Sequence, residues 1–196
     1  MEHTEATTRL LDTAETLFYQ RGVQAVGMDE IRAGSGVSLK RLYQCFPSKE
    51  QLVLSYLRRR DQRWRAALAD FVQERTEAGS GEQALLVFDW LYKWFSEPDF
   101  RGCAFINSFG ELGAGSPPVV AVAREHKDAL RDYLIGLLLR IPEIPARDRE
   151  TMADHLLLLI DGAITVASIA GNPGVARSAR RAAEVLLAAC RGRACA

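Results

Sequence analysis

Seven side chains within twelve positions could do chemistry together: Ser38, Leu39, Lys40, Arg41, Tyr43, Gln44 and Lys49. Lysine and arginine donate to guanine edges or to phosphate, glutamine makes paired bonds to adenine, and leucine can meet a thymine methyl. Tyr43 and Lys49 suit phosphate oxygens, which fix register without reading sequence. Ser48 and Gln51, three apart, form a capping box, and the helix start they open offers free amides to a further phosphate. Such chemistry is useful only if a short element presents these groups on one side.

The stretch GSGVSLKRLYQCFPSKE, residues 34–50, supplies that element. Gly34-Ser35-Gly36 breaks the chain, Ser38 is an N-cap, and Pro47-Ser48 begins the next helix. The helix between them has about two turns and is marginal alone, because nucleation is costly. Val37, Leu42 and Phe46 give it an inward stripe, leaving Leu39, Lys40, Arg41, Tyr43 and Gln44 outward. A second short helix, about 28–33 with Ile31 inward, precedes it. The pair has helix-turn-helix geometry, which places a narrow rod in a major groove about 12 Å wide. A plain αα-hairpin with a basic second helix fits the same local pattern.

Around this pair, apolar residues recur at three- and four-residue spacing, and two-residue alternation is scarce. The pattern predicts an all-α protein of about nine helices, at 4–21, 28–33, 38–45, 48–76, 82–96, 103–112, 119–140, 146–170 and 173–191. Gly79-Ser80-Gly81 is the expected stop of the long fourth helix, and Asp89 with Lys93 an expected ion pair on the fifth.

About half of the 196 residues are apolar, enough for a substantial core, and the formal net charge of zero gives no global sign of nucleic acid or membrane binding. The distribution is uneven. From Ser38 to Arg65 eight basic residues face two acidic ones, while the first 30 residues are acidic. A solvated helix face has the same look. Cys45, Cys103, Cys190 and Cys195 have no paired spacing and no signal peptide ahead of them, which points to a reduced, cytoplasmic protein. The apolar stretch 156–170 is interrupted by Asp161 and reads as too short for a membrane span. His3, His126 and His155 lie far apart, with no catalytic motif. Neither an enzyme nor a metal or cofactor is expected. Cys103, with His126 or Glu111 near it, is the one candidate nucleophile, and a lone apolar thiol is usually packing.

The run from Leu10 to Leu52 resembles the N-terminal domain of TetR/AcrR-type transcriptional regulators. The matching pieces are Ala14-Glu15-Thr16-Leu17-Phe18, Gly22-Val23, Asp29-Glu30-Ile31, Gly36-Val37-Ser38, Leu42-Tyr43 and Phe46-Pro47-Ser48-Lys49-Glu50-Gln51-Leu52. Arg101 to Asn107 and Asp161-Gly162-Ala163 are weaker likenesses to one branch. The resemblance implies a helix-turn-helix DNA-binding domain at 1–47 and a helical ligand-binding and dimerisation domain at 48–196. It also implies that the outward residues of the third helix read DNA, with Tyr43 and Lys49 at positions that commonly hold phosphates. Cys45, Asp29 and Arg32 depart from the family's usual residues, so no operator sequence is implied.

The resemblance further implies a homodimer through the last two helices. The apolar Leu156–Ile169 stretch fits this, with small Gly162, Ala163, Ala167 and Ser168 for close approach. The ninth helix adds Val175, Ala179, Ala182, Ala183, Leu186 and Leu187. Trp64, Phe88, Tyr92, Phe95, Phe105 and Phe109 would wall a chamber for a small apolar inducer, with Asn107 and His126 giving directional hydrogen bonds. Aromatics at helical spacing also make ordinary core. The expected function is a repressor released from a palindromic operator by a small apolar or aromatic ligand. A thiol-based redox regulator using Cys45, or a cysteine-dependent helical enzyme, are the alternatives.

Overall fold

The computed structural model describes residues 2–77 and 82–194. The expected stop at Gly79-Ser80-Gly81, and Cys195, lie outside those residues. Among the described residues there are nine helices and no strand: α1 (His3–Arg21), α2 (Met28–Ser35), α3 (Leu39–Cys45), α4 (Lys49–Glu77), α5 (Gln83–Phe95), α6 (Ala104–Leu112), α7 (Pro117–Leu138), α8 (Ala146–Ala170) and α9 (Val175–Ala194).

Most boundaries follow local chemistry. Ser38 Oγ accepts from Arg41 N at 3.4 Å, and Ser48 Oγ accepts from Gln51 N at 3.2 Å, which caps α3 and α4. Three helices depart from the sequence expectation by more than one residue: α9 spans Val175–Ala194, and the other two have a local cause. α2 passes through Gly34; a Cβ there would stand 2.8 Å from Thr13 Cγ2, so this glycine permits close packing on α1 and does not end the helix. The stop is Gly36, left-handed at φ +66°. α7 starts at Pro117, since proline at a first helical position loses no needed donor.

The chain forms two compact units, Met1–Arg63 with Cys103–His126 and Trp64–Gly102 with Lys127–Ala196. α4 and α7 contribute residues to both. In the first unit, α1 buries Ala6, Leu10, Ala14 and Phe18 at four-residue spacing, and the Phe18 ring lies 5.6 Å from that of Tyr56. In the second, α5 is buried on nearly every side and packs on α8 and α9. The expected Asp89–Lys93 pair is not the one formed. Asp89 meets Arg180 of α9 at 3.2 Å, and Lys93 Nζ lies 5.8 Å from the centre of the Phe71 ring.

The apolar stretch at 156–170 lies within α8. That helix has 25 residues and is long and apolar enough to cross a membrane by length and composition. Its Leu156, Ile160, Ala163, Ile164 and Ala167 are buried within its own unit. One side of α8 is thus packed as core, while Leu158, Val166 and Ile169 stay exposed.

Candidate nucleic-acid interface

α2 and α3 are held against α1 by their apolar sides. Ile31 and Leu42 have no exposed surface, and Val37 and Phe46 are buried beside them. Buried Ser35 closes the turn, its Oγ donating to Arg32 O at 3.1 Å and accepting from Val37 N at 3.4 Å. α3 has seven residues, and at about 1.5 Å per residue it is roughly 10 Å of rod that packing must hold in place.

Its other side is open. Leu39 is 49% exposed and Tyr43 47%, with Lys40 and Gln44 exposed between them. Arg41 is half-buried and donates through Nη1 to Gln44 Oε1 at 3.3 Å, so these two groups are ordered as a pair. Ser38 is exposed at the cap. Lys49 is half-buried at the start of α4 and forms no ion pair among the described residues. Burial holds its ammonium below the ordinary lysine range, while the Glu111 carboxylate works against that.

The basic run along α4 has a different use. Arg59, Arg60 and Arg63 converge on Glu15 of α1 at 2.7, 3.3 and 3.1 Å, and Arg59 also meets Asp12 at 2.8 Å. The Arg60 guanidinium lies 3.7 Å over the Tyr19 ring. Three arginines of the basic run and two carboxylates of α1 thus form one internal network. Of the departures noted in the sequence, Arg32 meets Asp29 at 3.7 Å, and Cys45 Sγ lies 3.7 Å from His3 Nδ1.

A family model for bacterial regulatory proteins of the tetR family matches residues 10–56, which spans α1 to the first turns of α4. An HTH-type transcriptional activator, FasR of Mycolicibacterium smegmatis, is 31% identical over 77% of this chain and 67% of its own. An HTH-type transcriptional regulator of Mycobacterium tuberculosis is 29% identical over 86% of this chain and 92% of its own. The crystal structure of a TetR-family transcriptional regulator from Streptomyces coelicolor superposes with a TM-score of 0.82 at 30% identity, over 96% of this chain and 97% of that one. The chain belongs to the TetR family. It is a DNA-binding transcriptional regulator, of a family that is not enzymatic. TetR-family regulators are soluble, dimerise and bind small-molecule ligands.

In this regulator two clips that the sequence did not reveal tie the α1–α2 loop and the start of α4 to α6 and to the turn before α7. Glu111 of α6 accepts from Gln24 N at 2.7 Å, and the Gln24 side-chain amide donates back to Glu111 O. Gly22, at φ +85°, leaves room for this, since a Cβ there would stand 2.8 Å from Glu111 Oε1. Ser116, before α7, donates to Glu50 Oε1 at 2.7 Å. The partners lie 87 and 66 positions apart, so no local pattern could show them. Between them is a cleft of about 390 Å³ lined by Val23, Val53, Leu112 and Lys49, among others.

The eight residues expected around a ligand fall in both units. In the first, Phe105 and His126 stack with ring centres 3.8 Å apart, and buried His126 places Nδ1 2.7 Å from Asp61 Oδ1. Phe109 is 52% exposed on α6, and Asn107 is exposed there too. In the second, Trp64 packs edge-on to Trp90 at 4.8 Å, Phe88 and Phe95 are buried, and Tyr92 lies 4.1 Å beneath the Arg177 guanidinium. None of the eight lines the cavity described in that unit. This cavity, of about 410 Å³, is walled by Ala69, Val72, Gln73 and Thr76 of α4, Gln83 of α5, and Tyr133, Leu137 and Arg140 of α7.

Proposed function

We propose that this regulator is a cytoplasmic repressor that binds a palindromic operator as a homodimer and is released by a small-molecule ligand. The observation that carries the DNA reading is the asymmetry of α3: Leu42 is fully buried, while Leu39, Lys40, Tyr43 and Gln44 project outward. That side would enter the major groove, with Lys40, the Arg41–Gln44 pair and Leu39 at base edges. Ser38, Tyr43 and Lys49 would hold the backbone.

An apolar stripe on α8 and α9 supports the dimer. Leu158, Val166 and Ile169 are 70, 51 and 82% exposed, Val185 of α9 is 68% exposed, and Gly162 lies on the same side. Of the small residues that suggested close approach, Ala163 and Ala167 are buried in their own unit, so the stripe is built from their neighbours. A ligand would act by its differential affinity for the free and DNA-bound states. Cys45, Cys103 and Cys190 form no disulfide among the described residues; Cys103 and Cys190 are buried and Cys45 Sγ lies beside His3 Nδ1, which gives the thiol-based alternative less support.

Selection of bound duplexes from a random pool tests the DNA reading. Paired half-sites about one DNA turn, roughly 34–36 Å, apart are expected; no enriched sequence would refute it. Because the M. smegmatis relative is named an activator, transcription from a promoter carrying the selected site decides the sign.

A further inference from the structure

We propose that Lys49 is a modification site: in the cleft of about 390 Å³ in the first unit, its side-chain amine takes the acyl group of a small acyl phosphate and loses the charge that would meet the DNA backbone. The chemistry at nitrogen stands on the cleft. Only its consequence rests on the DNA reading above.

The chain is sparing with amines. Of its 25 basic residues only Lys40, Lys49, Lys93 and Lys127 are lysines, and the rest are arginines, whose guanidinium keeps its charge. The four lysines sit in different surroundings. Lys127 is held by Asp161 at 2.5 Å. Lys40 and Lys93 are exposed, the latter 5.8 Å from the centre of the Phe71 ring. Lys49 is half-buried and shares its cleft with the apolar side chains of Val23, Val53 and Leu112.

Two carboxylates stand near Lys49, and both are engaged elsewhere. Glu50 accepts from Ser116 Oγ at 2.7 Å, and Glu111 accepts from Gln24 N at 2.7 Å. Burial pulls the Lys49 pKa down more strongly than the Glu111 charge pushes it up, so a larger share of its side chain is neutral amine than in an ordinary lysine. A lysine desolvated among apolar groups is an activated nucleophile. The acyl phosphate is an anion, as is the DNA backbone, so the positive surface that attracts one attracts the other. After the ammonium gives one proton to solvent, the lone pair on Nζ attacks the acyl carbon and forms a C–N bond. The bond from that carbon to the phosphate oxygen breaks, and phosphate leaves with its electron pair and with the second proton shed by nitrogen. The product is a neutral amide, whose short hydrocarbon end suits the apolar side chains of the cleft.

Acetyl phosphate added to the full-length protein without DNA, with peptide mass spectrometry at each lysine, tests this. Near neutral pH, Lys49 is expected to react at least about threefold faster than Lys40, Lys93 or Lys127. Its rate should also level off at a lower pH than that of Lys40, which a difference in access alone would not produce. In guanidinium chloride, which unfolds the chain, the preference should vanish. Equal rates at Lys49 and Lys40 in the folded protein, coincident pH profiles, or a preference that survives unfolding would overturn the site. Acetyl-coenzyme A, used alone at the same concentration, tests the donor: faster labelling of Lys49 by it than by acetyl phosphate would overturn the acyl phosphate. DNA is read separately. Protein acylated at Lys49 alone should bind selected and scrambled duplexes more weakly, with a salt slope lower by about one. Unchanged DNA binding by that protein would leave the acyl site standing and refute the backbone contact of Lys49.

Discussion

Lys40 and Lys49 carry the same charge in different surroundings, and they should fail differently. Lys40 is exposed on α3 beside Gln44, whereas Lys49 is half-buried at the start of α4. Lys40→Ala is expected to change which sequence is preferred, at a cost of about 1–3 kcal/mol at the affected base pair. Lys49→Ala should weaken binding to all duplexes alike and reduce the salt slope by about one unit. Affinities across a salt series, on selected and scrambled duplexes, check both. A second residue-scale prediction concerns Glu15, on which three arginines converge, two of them 15–16% exposed. Glu15→Gln should destabilise the protein by about 2 kcal/mol and lower the melting temperature by about 4–8 °C. The outward residues of α3 were legible because a buried leucine and a capping serine fix which side faces out. The role of Glu15 was not, because its partners are 44 to 48 positions away.

Elements were legible where caps and glycines act locally, and less so where a neighbouring helix decides. α3 ends at Cys45 as its signals require, yet α2 runs through Gly34, where an added Cβ would stand 2.8 Å from Thr13 Cγ2 of α1 and the glycine serves packing instead of a stop. The α6–α7 corner lay beyond local reasoning altogether. If its clip holds the α1–α2 loop, Glu111→Ala should raise amide exchange at Gln24 by about tenfold, the effect of losing one hydrogen bond to a charged group. Exchange measured by mass spectrometry reads this directly, with α8 peptides as the unaffected control. The α7–α8 packing carries a pH signature. The Arg131 guanidinium hydrogen-bonds Asp154 at 2.5 Å and holds its carboxyl below the ordinary aspartate range. An acid with a depressed folded-state pKa stabilises above its unfolded value and loses that contribution as pH falls through the folded one. The stability difference between wild type and Asp154→Asn should thus be present at neutral pH and vanish on acidification below the ordinary aspartate range. Denaturant unfolding across pH checks this.

At the scale of the whole molecule, the all-α class followed from periodicity alone, while aromatic character did not say which of the residues expected around a ligand are packed as core. Phe88 and Phe95 serve the core, and the second unit's cavity is lined by residues with no distinctive pattern in the sequence. The stripe on α8 was partly legible, since a helix apolar on all sides implies more than one partner. Leu158→Arg with Ile169→Arg should give a monomer by sedimentation and a loss of tight binding to two-half-site duplexes, with α3 intact. The most direct test of α3 as a reading helix is selection from random duplexes by wild type and by Gln44→Ala, side by side. A shared two-fold motif that loses its preference at one symmetric pair of positions in the variant is the expected result. Identical motifs from both proteins, or no motif from wild type, would contradict it.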